Sequence, residues 1–394
     1  MNKILLAFLI FITSYIYGIL TVSHQFFPYD RLKTIQNLYL YSSKKYEPDI
    51  DIPHVEKYIN YVNNKIMNDS SFYNIYRADL SKKLIIPGIR AVEIEGKEKD
   101  DFYNTWIKPG HGISPSEYRL LKTTYYNIDH FGVLIPYQGP SQGLLIYNQG
   151  HGGNLFDHKY ANRLIDLAKQ KHYDLLVLSL TSLGFNSMSG VSDIPSRGGP
   201  IPLESQTPHG KFALFFDKNN PKLTGASLMT TGNYELIEAA RKLGHYKKVI
   251  MTGVSGGGWS TTLLSALDPA IDESVSFAGS VPLVFRGYQK NNGDYEQEAD
   301  PIYAEYDYWD FYVLSTLDSN GKPTRSHYEI YNDHDPCCFD GKTAEKLIAV
   351  YDKTIEQQNL KFGIIKNIRH EPNFNVVGKI IDGEKIDNFT LQSS

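Results

Sequence analysis

Cysteine is scarce in this chain and its charges nearly balance, and both features exclude classes of function. The only two cysteines, Cys337 and Cys338, are adjacent, so the sequence has neither metal-ligand spacing nor a disulfide framework between distant elements. They form either a vicinal disulfide or two buried thiols. A net charge of −4 and the lack of a long basic run argue against a nucleic-acid partner. We therefore expect no metal, no cofactor and no nucleic acid.

The longest uncharged stretch lies near the N-terminus. Residues 4–22 contain no charged side chain, and as a helix they would be about 28 Å long, close to the thickness of a hydrocarbon core. Because no good small-x-small cleavage site follows, a signal anchor is favoured over a cleaved signal peptide, and a buried helix is a third alternative. The anchor predicts a membrane protein with its main domain extracytoplasmic. Cleavage would instead release it as a secreted or periplasmic protein.

From residue 118 onward, apolar strands alternate with amphipathic helices. The predicted strands cover 120–128, 131–136, 144–148, 175–180, 248–252, 274–278, 326–331 and 361–366, and the predicted helices cover 158–172, 233–243, 259–267 and 342–357. This alternation predicts an α/β fold, with a mostly parallel sheet and helices on both faces. We divide the chain into an anchor or signal peptide (1–23), an extension of unknown role (24–117) and a main domain (118–394).

An aromatic-rich insertion, at about residues 282–317, interrupts this alternation. We expect it to form a cap over the edge of the sheet, where aromatic rings with polar groups receive a ligand. The equally weighted alternative is that the rings only hold the cap on the body. The candidate substrate-binding residues are Trp259, Arg286, Tyr288 and Trp309, and Asp294 and Glu296 are further polar candidates nearby.

The most informative stretch is a G-x-S-x-G pentapeptide at residues 253–257, which follows a β-branched run and precedes a helix-forming run. In this setting a serine is held on a sharp strand-to-helix turn with its hydroxyl exposed. The pattern recurs at residues 139–143, but there it precedes a strand, which favours a turn role for Ser141. We therefore predict that Ser255 is a nucleophile.

The order of this serine, a later acid and a histidine after the last strand resembles that of the α/β-hydrolase superfamily. The resemblance covers about residues 118–375 and extends to no narrower family. It implies an acid just after the strand at 326–331, where Asp335, directly before a proline, is favoured over Asp333. A turn role for both aspartates is the remaining alternative. The resemblance also implies His370 as the base.

The same resemblance implies two backbone donors for a developing oxyanion. One is the residue after the nucleophile, Gly256, and the other lies in the loop after an early strand. That loop reads Gln-Gly-His-Gly-Gly and is similar to the His-Gly-Gly motif of lipases and esterases, which points to Gly152 or Gly153. A glycine-rich turn without a catalytic role is the alternative.

These features predict a serine hydrolase that cleaves a carboxylic ester through an acyl-enzyme. The anchor and the aromatic cap suggest an acylated envelope glycan or lipid as the substrate. Three alternatives stay open: a peptidase resembling prolyl oligopeptidases, an acyltransferase with the same triad, and a non-catalytic interaction protein. The peptidase is disfavoured because the roughly ninety residues before the main domain are too few for a β-propeller. The oligomeric state is not predicted.

Overall fold

The structure is a computed structural model that describes most of the chain after residue 69. The described ranges are 70–107, 111–186, 192–194, 201–203, 223–286, 293–354, 359–384 and 389–391, with single positions 56, 57, 60, 64 and 215. All of them belong to one compact unit, Pro48–Ser394. The predicted anchor at 4–22 lies outside the described residues. Within the described ranges, no helix is both long and apolar enough to cross a membrane.

The described residues form twelve strands, ten of which belong to one central sheet. In chain order the strands are β1 (Val92–Ile94), β2 (Arg119–Tyr125), β3 (Ile128–Ile135), β4 (Gly143–Gln149), β5 (Tyr173–Ser179), β6 (Ser192–Ile194), β7 (Ile201–Leu203), β8 (Val249–Val254), β9 (Glu273–Phe277), β10 (Ser326–Asn332), β11 (Leu360–Ile365) and β12 (Phe389–Leu391). The sheet order is β1-β2-β3-β5-β4-β8-β9-β10-β11-β12, while β6 and β7 form a separate antiparallel pair.

The type of pairing changes once across the sheet, from antiparallel to parallel. The β1–β2, β2–β3 and β3–β5 pairs are antiparallel, and all the pairs from β5 to β12 are parallel. Every residue of β4 and β8 is buried, as expected for central parallel strands covered on both faces. Because parallel strands end at the same edge, the loops after β4, β8, β10 and β11 share the carboxyl edge of the sheet.

Helices cover both faces of this sheet, as predicted. They are α1 (Ser70–Leu84), α2 (Lys97–Trp106), α3 (Ala161–Gln170), α4 (Gly225–Leu243), α5 (Gly256–Leu267), α6 (Tyr295–Glu298), α7 (Tyr308–Thr316), α8 (Gly341–Thr354) and α9 (Phe374–Ile381). One hydrophobic core includes residues of α1, α4, α5, α7 and α8. A second core, on the other face, includes residues of α2, α3 and α9. Short 3-10 helices lie at Pro115–Glu117, Leu155–Asp157, Gly184–Asn186, Leu283–Phe285 and Pro301–Ala304.

The described part of the N-terminal extension is integrated into the main unit. Strand β1 pairs with β2 and adds an edge to the sheet. The buried guanidinium of Arg77 donates to the backbone carbonyls of Ala266, Leu314 and Leu317, at the C-terminal ends of α5 and α7. Positive charge at these ends stabilises carbonyl groups that lack intrahelical partners. Residue 118 is therefore not a structural boundary.

Helix α7 is part of the body, although we expected it within the cap. All nine of its residues are buried, and it contacts α5, β10 and β11. A helix that is apolar on every side has no face suited to solvent, and it is stable where neighbours surround it. The aromatic density of residues 308–316 thus reflects core packing.

Candidate active site

Ser255 occupies a sharp turn between β8 and α5. Its φ of +59° and ψ of −131° lie in a region that non-glycine residues rarely adopt, at a cost of about 1–3 kcal/mol. A Cβ at Gly253 would overlap the carbonyl of Gly257, and one at Gly257 would overlap the carbonyl oxygen of Asn148. Glycine is therefore required at both positions because strand and helix meet there without side chains. The turn holds Ser255 half-buried at the carboxyl edge of the sheet.

The second serine motif has a different role. The hydroxyl of Ser141 donates to the carbonyl of Gly143 at 2.8 Å and accepts from the backbone N–H of Asp174 at 3.2 Å. These bonds close a turn before β4. Ser141 is therefore a turn serine.

The carboxylate of Asp335 faces His370. Both carboxylate oxygens lie 2.9 Å from Nδ1 of the imidazole, and the Asp335 side chain is fully buried. Oδ1 also accepts the backbone N–H groups of Cys337 and Cys338, at 2.8 and 3.2 Å, and Oδ2 accepts Nδ2 of Asn332 at 3.1 Å. A buried carboxylate with this many donors is held in one orientation.

Asp333 serves a different purpose from Asp335. Its Oδ1 accepts the backbone N–H of Asn367 at 2.8 Å, and its Oδ2 lies 3.0 Å from Nδ1 of His334. The bond from Asn367 joins the loop after β10 to the loop after β11, and His334 strengthens this link by donating its backbone N–H to the Asn367 carbonyl at 3.2 Å. The geometry thus favours Asp335 as the partner of His370, and Asp333 as a structural link between the loops.

The other ring nitrogen of His370 is available for chemistry. Nε2 is buried and has no hydrogen-bond partner among the described residues, so it is not bonded to the Ser255 hydroxyl in this conformation. Such bonds are often long before substrate binds and tighten in the reacting complex. His370 follows β11 and Ser255 follows β8, and both loops lie at the carboxyl edge.

The glycine loop after β4 lies directly against the serine turn. A Cβ at Gly150 would lie 2.8 Å from Cβ of Ser255 and 3.2 Å from the nitrogen of Gly256. Gly256 begins α5, so its N–H has no intrahelical acceptor. Gly153 donates its own N–H to the Gly150 carbonyl at 3.3 Å. The N–H of Gly153 is therefore engaged within the loop.

The order of the strands and the position of each candidate residue define the fold. A mostly parallel sheet carries a strand-to-helix turn at Ser255 after β8, Asp335 after β10 and His370 after β11, all at one edge. The chain has the α/β-hydrolase fold.

Solved structures with this fold resemble the chain at low sequence identity. Acetyl xylan esterase 1 from Thermoanaerobacterium sp. JW/SL YS485 is 14% identical, with 78% of this chain and 92% of that chain covered and a TM-score of 0.45. Methylesterase BT1017 is 13% identical, with coverages of 85% and 68% and a TM-score of 0.45. The acylaminoacyl peptidase of Pyrococcus horikoshii is 13% identical, with coverages of 64% and 37% and a TM-score of 0.39. No protein-family model and no curated protein matches the sequence.

A polar cluster beside the serine turn of this α/β-hydrolase fold joins His151, which was not predicted as a site residue, to the polar candidates Asp294 and Glu296. The ring of His151 lies against the start of α5, where a Cβ at Gly256 would lie 2.6 Å from its Nδ1. Nε2 of His151 lies 3.0 Å from Oδ2 of Asp294 and 3.4 Å from Oε1 of the buried Glu296. The two carboxylates come from a loop and helix more than 140 residues away, so local sequence carries no signal for the contact. The one indication in the sequence that His151 lies near the serine turn was its position between Gly150 and Gly152.

Three of the four predicted substrate-binding residues lie in the interior, which corrects that prediction. Trp259 is fully buried and donates Nε1–H to the hydroxyl of Tyr303 at 2.9 Å. The ring of Trp309 is buried against Phe362 in the core, with centroids 5.7 Å apart. Large apolar rings on the inner faces of helices are more stable in the core than at a wet site.

Arg286 is the third of these interior residues, and Tyr288 lies outside the described residues. The guanidinium of Arg286 donates to the carbonyls of Val281 and Gln297, both at 2.9 Å. It also lies 4.5 Å from the ring centroid of Tyr308, within cation–π distance. Arg286 therefore ties the segment after β9 to α6 and α7.

Proposed function

We propose that this protein is a serine hydrolase that cleaves carboxylic esters through a covalent acyl-enzyme. The observation that carries the proposal is the Asp335 carboxylate, with both oxygens 2.9 Å from Nδ1 of His370, at the sheet edge that also presents Ser255. A buried carboxylate in this position fixes the imidazole tautomer that leaves Nε2 as a base.

The proposed reaction begins with proton transfer from the Ser255 hydroxyl to Nε2 of His370 as the serine oxygen attacks the ester carbonyl. The imidazolium that forms is stabilised by Asp335, which stays ionised. His370 then returns the proton to the leaving alcohol, and an acyl-enzyme remains on Ser255. Water repeats the sequence and releases the acid. In this scheme the imidazole is base and then acid in each half of the cycle.

Backbone N–H groups would stabilise the negative charge on the carbonyl oxygen. We assign this role to Gly256 at the N-terminus of α5 and to Gly152 in the loop that lies against it. Removal of one such donor typically costs about 10²–10³ in rate. The helix N-terminus adds a favourable dipole for the same charge.

An acylated glycan is the substrate class that we propose. The half-exposed carboxylate of Asp294 lies beside the serine turn, where it contacts His151, and carboxylate oxygens accept hydrogen bonds from sugar hydroxyls. We further propose that residues 4–22 place the enzyme at a membrane, with its catalytic unit outside the cytoplasm. Support for that placement is the uncharged run in the sequence.

The proposal is tested by comparing 4-nitrophenyl esters of increasing acyl length with amino-acid 4-nitroanilides. The wild-type protein should hydrolyse the esters, and Ser255→Ala should lose that activity while keeping its thermal transition. Ser141→Ala is the matched control, since its serine lies in the other G-x-S-x-G match, and it should keep the activity. Faster turnover of the anilides would favour a peptidase. Ester turnover that persists in Ser255→Ala would contradict the mechanism.

A further inference from the structure

The loop that carries Asp335 also contains the two cysteines, and both lie close to His370 in the loop after β11. Cys337, Cys338 and His370 each offer one ligand atom, and these three atoms all lie within 4.8 Å of one another. The two cysteines form a vicinal disulfide in the structure. Cys337 is exposed and Cys338 is half-buried, so a small reductant can reach the bond.

These residues are also the ones that hold the proposed triad together. The backbone N–H groups of Cys337 and Cys338 donate to the carboxylate of Asp335. Nδ1 of His370 faces that carboxylate, and Nε2 is the nitrogen that would receive the serine proton. A cation bound to either ring nitrogen would therefore remove a contact that the reaction needs.

We propose that reduction of the Cys337–Cys338 disulfide creates a site for a soft divalent cation, formed by two thiolates and His370, and that occupancy of this site inhibits the enzyme. The inhibitory part rests on the proposed hydrolase function, whereas the cation site itself does not. Thiolate and imidazole are the ligands that Zn²⁺ and Cd²⁺ prefer over hard cations such as Mg²⁺.

A dithiol supplies the electrons and protons that reduction of the disulfide requires. The dithiol gives two electrons and two protons to the disulfide, so the S–S bond breaks, two thiols form and the reductant becomes a cyclic disulfide. The cation then displaces the two thiol protons, which pass to the buffer, and it binds both sulfurs and one imidazole nitrogen. Reoxidation requires that the cation leave first, because the same sulfurs form the bond.

The distances suit this site after a small movement. Tetrahedral zinc with Zn–S bonds of about 2.3 Å and Zn–N bonds of about 2.0 Å has ligand atoms roughly 3.5–3.8 Å apart. The imidazole nitrogen, within 4.8 Å of both sulfurs, needs to approach them by about 1.3 Å at most. The fourth position is open to water because Cys337 faces solvent.

The experiment titrates Cd²⁺ into the full-length protein before and after reduction with dithiothreitol, which is removed before the metal is added. Binding is followed by the ultraviolet thiolate-to-cadmium charge-transfer band and activity by hydrolysis of a 4-nitrophenyl ester. We expect the reduced protein to bind one cation per chain, to lose its esterase activity and to regain it with a chelator. The oxidised protein should show neither effect, and Mg²⁺ should have no effect on either form.

The matched variants are Cys337→Ser and Cys338→Ser, each compared with its own rate without metal. Both should lose the band and the inhibition, because one sulfur is not enough to hold the cation with His370. The proposal is overturned if the reduced wild-type protein gives no band, or if Cd²⁺ inhibits the serine variants as strongly as the wild type. If no form hydrolyses the ester, the hydrolase function fails, and the band alone still decides whether the site exists.

Discussion

Substitution of Asp335 by asparagine has a consequence that can be worked out from its contacts. Oδ1 accepts two backbone N–H groups, from Cys337 and Cys338, so the amide oxygen of the new side chain must occupy this position. The amide NH₂ then takes the place of Oδ2, where it meets Nδ1 of His370. This NH₂ donates to Nδ1 when the imidazole carries its proton on Nε2, and the amide oxygen, also 2.9 Å from Nδ1, no longer supplies the negative charge that favours a proton on Nδ1. In that tautomer it cannot remove the serine proton.

The expected cost in kcat is about 10⁴-fold, the size seen when a triad aspartate becomes asparagine and traps the wrong tautomer. This factor corresponds to about 5 kcal/mol of transition-state stabilisation. KM should change little because Asp335 is fully buried and does not face substrate. The fold should persist, since asparagine has nearly the same volume and keeps the acceptor for both backbone donors.

Asp333→Asn is the matched control for this prediction. It lies two residues away and makes the link between the loops through Asn367 and His334. We expect a modest loss of stability, about 1 kcal/mol for a half-exposed pair, and a kcat close to that of the wild type. The assay is initial-rate hydrolysis of a 4-nitrophenyl ester across substrate concentration, with circular dichroism as the test of folding. A larger loss in Asp333→Asn than in Asp335→Asn would refute the assignment.

Three further predictions concern stability. Gly257→Ala should lower the free energy of unfolding in urea by roughly 3 kcal/mol, because its Cβ would overlap a backbone carbonyl. Gly88→Ala, with a φ of +82° and open space around it, should lower it by only about 1–2 kcal/mol. Equal losses would contradict the close contact between strand and helix at the serine turn. Burial lowers the pKa of His130 to about 3, so the folded state stays neutral while the unfolded state gains a proton below its pKa of about 6.5. Stability should therefore fall by about 2 kcal/mol between pH 6.5 and pH 5, and His130→Phe should remove that part of the slope; an unchanged slope would argue against the buried neutral ring. Trp309→Ala should lose about 3–5 kcal/mol of stability with KM unchanged. A stable variant with a raised KM would show instead that Trp309 contacts the substrate.

The central sheet and the serine turn could be predicted because their signals are local. Residues 249–254 are apolar apart from Thr252 and Gly253, and the glycines at 253 and 257 lie where a Cβ would overlap the backbone. The preference for Asp335 over Asp333 came from the position of the acid in the superfamily that the sequence resembles. In the structure, Asp335 is the aspartate whose carboxylate faces His370. The predicted helix at 233–243 begins earlier in the structure, at Gly225, where Thr224 caps it and the small polar residues that follow hid the pattern.

The features that sequence reasoning missed depend on contacts between distant residues. The carbonyls that receive Arg77 lie about 190 to 240 residues further along the chain, so nothing near residue 77 indicates that the extension belongs to the main unit. The pairing of His151 with Glu296 spans 145 residues. An aromatic run such as 308–316 fits both a cap and a buried helix, because composition alone does not say which surfaces surround it.

Labelling with a fluorophosphonate probe, followed by peptide mapping, shows directly whether Ser255 is the nucleophile. We expect one adduct per folded wild-type chain, on the peptide that contains Ser255, with no adduct in Ser255→Ala and slow labelling in Asp335→Asn. A folded wild-type protein that stays unlabelled, or a label that persists in Ser255→Ala, would contradict this assignment.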